Sequence, residues 1–69
     1  MPFVNIRLVK EVIASDPESK KSAIAREVVK AITQNTGLTD DDVWVVFEEV
    51  PAREWYVGPT SVETRRKAK

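Results

Sequence analysis

Apolar and polar side chains alternate from the start of the chain: Val4, Ile6 and Leu8 are separated by Asn5 and Arg7. A period of two marks a strand, so residues 3–9 are predicted to be extended. Phe3 and Val9 make the second face partly apolar, which suits a strand covered on both sides. Residues 10–15 read as a connection, made apolar by Val12 and Ile13. The period then changes. Ile24, Val28, Ala31 and Ile32 recur at helical spacing, Ala25 and Val29 widen their stripe, and Lys20, Lys21, Glu27 and Lys30 lie largely off it. The start of this helix is marked by Ser15 or Asp16 as cap, Pro17 in the first helical position and Glu18 in the first turn. Ser15 and Glu18 also have capping-box spacing. Gly37 is the stop signal. The helix is predicted over residues 17–36.

After a polar turn at residues 39–42, residues 43–50 read as a second strand. Its first five residues are apolar without alternation, the pattern of a strand covered on both faces. Pro51 ends it, having no N–H for a ladder. Residues 55–57 form a short extended piece, Gly58-Pro59 a turn, and the polar remainder, about residues 63–69, is expected to fray as a basic tail.

The order strand, helix, strand leaves a connection long enough for a parallel β-α-β unit with a right-handed crossover. Two strands and one helix cannot cover both faces of a sheet. The open edges and the over-wide helical stripe therefore predict association with other copies. Length leads to the same expectation: 69 residues make one small domain, residues 1–69, whose core is marginal alone.

Composition narrows the chemistry. The chain has neither cysteine nor histidine, which removes disulfides, thiolate nucleophiles and the commonest general base and zinc ligand. Lys plus Arg balance Asp plus Glu, so nothing favours nucleic acid or an anionic membrane as partner. No apolar run approaches the roughly 20 residues that span a bilayer, and the start lacks the layout of a signal peptide; the expected location is cytoplasmic. Asp40, Asp41 and Asp42 read as a solvated loop rather than a metal site. Glu48 and Glu49 are adjacent in a strand and point to opposite faces, so they are not a catalytic pair facing one substrate.

Four segments in order, Met1-Pro2-Phe3-Val4-Asn5-Ile6, Ala25-Arg26-Glu27-Val28, Val45-Val46-Phe47-Glu48-Glu49-Val50 and Trp55-Tyr56-Val57-Gly58, resemble the 4-oxalocrotonate tautomerase family. The resemblance covers nearly the whole chain. It implies an α+β fold made of a single β-α-β unit with a short C-terminal hairpin. It also implies a homohexamer built as a trimer of dimers, with sites near subunit boundaries. It implies an isomerase without cofactor that acts on a small-molecule enol or keto acid, with Pro2 as general base once Met1 is removed. A free α-amine titrates at about 7.7–8.0, and burial or nearby cations lower that value, so a neutral secondary amine can shuttle a proton near pH 7.

The resemblance also gives Trp55 the place of a pocket-lining aromatic; a core or interface anchor is the alternative role. Two features depart from the family pattern. Residues 10–16 are about two residues longer than the family loop and lack its arginine, and Trp44 stands where a substrate-binding arginine is expected. Arg53, Lys10 and Arg7 are the candidate replacements, each with a solvated surface charge as the alternative, and Arg7 is expected to face another subunit. Trp44 points to a more apolar pocket and hence to a monoacid or aromatic enol substrate. Two other functions stay open. One is a dehalogenase- or decarboxylase-type reaction with a protonated Pro2 as acid; the other is a non-catalytic oligomerisation module.

Overall fold

The computed structural model describes residues 2–67; Met1, whose removal the sequence reading requires, and the last two residues of the expected tail lie outside them. The alternating segment forms strand β1, Phe3–Val9, and the second apolar segment forms β2, Trp44–Val50. The two pair in parallel in the register Phe3↔Trp44 to Val9↔Val50. Between them runs the helix α1, Pro17–Thr36, with the bounds its start and stop signals predict. The chain is an α+β fold with a β-α-β arrangement. A two-stranded antiparallel hairpin follows, β3 at Tyr56–Val57 and β4 at Thr60–Ser61, joined through Gly58.

Local chemistry chooses between the candidate caps of α1. Asp16 is the cap, and its Oδ1 accepts a hydrogen bond from the Ser19 backbone N–H at 3.3 Å. Ser15 instead accepts one from the Lys20 Nζ at 2.8 Å. At the other end Gly37 takes the left-handed conformation, φ 78°, and its N–H donates to the Thr33 carbonyl at 3.0 Å.

Three expectations are corrected. Val43 precedes β2 rather than opening it. It is buried, and its N–H closes the turn Asp40–Asp42 by donating to the Asp40 carbonyl. Ala31 is exposed, whereas Lys20 and Lys21 are half-buried. The Lys20 ammonium reaches the Ser15 hydroxyl, and Lys21 pairs with Glu49 on β2. Finally, residues 62–67 do not fray. They form a second helix, α2, Val62–Lys67, packed on the turn Ala52–Glu54 that follows β2. Ser61 caps it, its Oγ accepting from the Thr64 N–H at 3.2 Å.

Helix α1 covers one face of the sheet. Val4, Ile6 and Leu8, in register with Val45, Phe47 and Glu49, are half-buried there. The other face is open: Phe3 and Trp44 are 61% and 58% exposed, and Val46 is exposed with them. Among the described residues only Ile13, Val43 and Ala52 are buried apolar residues. The radius of gyration is 15.0 Å, against about 11 Å for a compact domain of this length.

Candidate functional site

Pro2 stands half-buried at the head of β1, and its carbonyl accepts the Trp44 N–H at 3.1 Å. The bond follows from the register, because Phe3 pairs with Trp44 and the next ladder bond falls on Pro2. Trp44 thus begins β2 directly beside Pro2, with its side chain and that of Phe3 on the open face.

The other predicted residues are elsewhere. Lys10 opens the short helical turn Lys10–Ile13 after β1, Arg53 lies in the turn Ala52–Glu54 after β2, and Trp55 follows it. Both strands run the same way, so all three sit at the far end of the sheet. Seven strand residues at about 3.3 Å each separate the ends by roughly 20 Å. One protomer therefore brings Pro2 together with Trp44, and Trp55 together with Arg53, but does not bring the two groups together.

At the far end Trp55 is well anchored. Its indole Nε1–H donates to the Val50 carbonyl at 3.1 Å, and its carbonyl accepts the Val62 N–H at 2.7 Å. It lines an open cavity of about 410 Å³ with Arg7, Glu48, Val50, Glu54 and Tyr56. Arg7 reaches Glu48 across the strands through its Nη2 at 3.0 Å and its Nε at 3.3 Å, so its charge is already partnered within the protomer. Arg53 is exposed, with its Nε 3.8 Å from Glu54, a contact too long and too solvated to fix it. Lys10 is exposed.

Sequence reasoning did not single out Tyr56 or the Arg7–Glu48 pair as cavity walls. The pair is a register effect between segments 41 residues apart, and no local pattern reports it. Nor did it single out Glu11, which links the turn after β1 to the turn after β2: its Oε1 accepts the Ala52 N–H at 2.9 Å. That bond, first among the causes, holds the Glu11 carboxyl below its ordinary value of 4.5. Glu11 and Ala52 also line a second cavity, of about 260 Å³, with Glu63, Arg66 and Lys67 of α2.

Among the described residues no group of His, Cys, Asp or Glu is arranged to hold a metal ion, and no helix is long and apolar enough to cross a membrane. Of the three consecutive aspartates, Asp42 is half-buried and accepts hydrogen bonds from the Thr39 N–H at 3.0 Å and the Thr39 hydroxyl at 3.1 Å.

Comparison with known proteins adds the following. Residues 2–65 match the family model described as tautomerase enzyme. A probable tautomerase of Dickeya dadantii is 36% identical over 67 residues, covering 97% of this chain and 96% of the relative. A probable tautomerase of Bacillus cereus is 28% identical over 58 residues, covering 84% and 88%. Among solved structures, TomN, described as a 4-oxalocrotonate tautomerase homologue in the tomaymycin biosynthetic pathway, superposes with a TM-score of 0.81 at 26% identity, covering 96% of this chain and 95% of its own. The 4-oxalocrotonate tautomerase isozymes of Methylibium petroleiphilum give a TM-score of 0.75 at 27% identity, covering 90% and 94%.

Proposed function

Because this chain belongs to the tautomerase family, we propose that it is a cofactor-independent keto–enol tautomerase, an isomerase whose general base is the Pro2 nitrogen, freed by removal of Met1. The observation that carries this reading is the position of Pro2: it heads β1, half-buried, within a chain that matches the family from residue 2 to residue 65. In the neutral amine the nitrogen lone pair takes a proton from one site of the enol or keto acid, and the resulting prolinium returns a proton to the other. No atom is lost and no cofactor enters the balance.

The division of the candidate residues between the two ends of the sheet supports a site completed by a second copy. In this reading Trp55 of a neighbouring protomer walls the pocket at Pro2, and Arg53 or Lys10 of a neighbour steadies the carboxylate or the developing enolate. A homohexamer, a trimer of dimers, is the assembly proposed, in the cytoplasm. It also supplies cover for the open face of the sheet. Trp44 beside Pro2, in place of a cation, favours a substrate with one carboxylate and an apolar or aromatic body over a dicarboxylate, which calls for two guanidinium partners.

The test has two parts. Intact mass of the purified chain is expected to show loss of Met1, and Pro2→Ala is expected to reduce tautomerisation of phenylenolpyruvate at least 100-fold, within the range of general-base contributions. Retained Met1 in the active protein, or a fully active Pro2→Ala, overturns the reading. A strong preference for 2-hydroxymuconate over phenylenolpyruvate overturns the substrate class alone.

A second reading, with a protonated Pro2 acting as acid, draws support from the charges at this end of the sheet. Three aspartates precede β2, and residues 39–52 contain no Lys or Arg. A rate that falls as Pro2 loses its proton would select it.

A further inference from the structure

The turn before β2 contains a carboxylate for which the proposed proton transfer has no task. Since Phe3 is opposite Trp44, Pro2 is level with Val43, and its nitrogen lies further back along the strand direction, toward Asp42. Asp42 differs from its neighbours: Asp40 and Asp41 are exposed, whereas Asp42 is half-buried and its Oδ2 is pinned by the N–H and hydroxyl of Thr39. Those two hydrogen bonds, the backbone one first, hold its carboxyl below its ordinary value of 3.8, against a smaller opposing effect of burial. A carboxylate and an amine held close act on each other: an amine that favours an ionised carboxylate is itself harder to deprotonate.

We propose that Asp42 is a positioning residue for the Pro2 amine: its fixed carboxylate orients the amine released by loss of Met1 and retains the amine's proton to higher pH. The proposal rests on the reading of Pro2 as the proton carrier. The charged groups around Pro2 agree in direction. The turn Asp40–Asp42 supplies only carboxylates, and residues 31–36, the end of α1 that leads into this turn, contain no charged side chain. The first cation along β1 is Arg7, already bonded to Glu48.

The sign follows directly. A nearby carboxylate raises an amine's pKa, and a general base acts in its neutral form, so removing the charge at residue 42 moves the rise of activity to lower pH. A close opposite charge shifts a pKa by about 1–3 units, and solvent around this turn reduces that to roughly half a unit to one unit.

The experiment uses the full chain, shown by mass to lack Met1, with nitrogen-15 proline, and follows the Pro2 amine by NMR against pH. Asp42→Asn keeps an oxygen for Thr39 and removes only the charge. The Pro2 titration midpoint is expected to fall by about half a unit to one unit in Asp42→Asn and to return most of the way in Asp42→Glu. The rising limb of the rate profile is expected to move with it. An unchanged midpoint in Asp42→Asn overturns the proposal, as does an equal shift in Asp42→Glu. Should Asp42→Asn fail to fold, Thr39→Val decides: it keeps the charge and the backbone N–H bond but removes the hydroxyl that also holds Oδ2, and a smaller downward shift is expected, with no shift counting against the proposal. The NMR titration reads the amine and not turnover. An inactive Pro2→Ala with an Asp42-independent midpoint therefore sinks the role of Asp42 alone, and an active Pro2→Ala sinks the base.

Discussion

A carboxylate that accepts a backbone hydrogen bond ties its protonation to the fold, and Glu11 does this across 41 residues of sequence. Its folded pKa lies below the ordinary 4.5, chiefly because the Ala52 N–H bonds the charged form. A depressed carboxyl pKa contributes stability that is present above the unfolded value and is lost as pH falls through the folded one. Glu11→Ala is accordingly expected to lower the melting temperature at pH 7, with a difference from the parent that shrinks as pH falls below about 4.5. Thermal melts at pH 7, 5 and 3 check it; a difference independent of pH would show that the carboxylate charge has no part. Pro2 and Asp42 belong to the same scale. Each was legible as a residue type at its position, but the hydrogen bonds that distinguish Asp42 from Asp40 and Asp41 depend on the closing of the turn by Thr39.

At the scale of elements, α1 shows how much short-range chemistry decides. Asp16 holds a left-handed backbone, φ 104°, that few non-glycine residues adopt, and compensates by capping the Ser19 N–H. Asp16→Ala loses the cap and keeps the strain, so it is expected to cost about 1–2 kcal/mol in chemical denaturation. Asp16→Gly loses the cap and relieves the strain, and is expected to cost less than Asp16→Ala. Gly37 is the mirror case. A Cβ there meets nothing within 4 Å, so the cost of Gly37→Ala comes from its positive φ alone, about 1 kcal/mol. Equal effects of Asp16→Ala and Asp16→Gly would remove the strain argument. Helix α2 marks the limit of local reading. Six residues are too few to be helical alone, and what keeps Val62–Lys67 ordered is the Ser61 cap together with packing on the turn Ala52–Glu54.

At the scale of the molecule, the protomer is too open to account for its own stability. Its described core is three residues, and Phe3, Trp44 and Val46 lie on an uncovered sheet face. Under the proposed homohexamer this face is covered by other copies. Val46→Asp is then expected to shift the protein from hexamer to smaller species in sedimentation analysis and to lower the melting temperature, because an unpaired charge is costly to bury. A monomeric parent would end the composite site as well, since one chain leaves Pro2 and Trp55 at opposite ends of the sheet.

The sequence alone determined the two strands, the bounds of the helix between them and the family to which the chain belongs. The strands and the helix rest on signals confined to a few neighbouring residues: alternation in β1, Pro17 and Gly37 at the ends of α1, and Pro51 after β2; the family rests on four segments whose order spans the chain. Tertiary structure decided what no local signal carries. Register set Trp44 beside Pro2 and paired Arg7 with Glu48. The parallel pairing also brought Glu11, after β1, to Ala52, after β2, and the turn Ala52–Glu54 gave α2 a surface to form on. These contacts join residues far apart in the chain, and their geometry is fixed only when the parallel pair and its crossover close together.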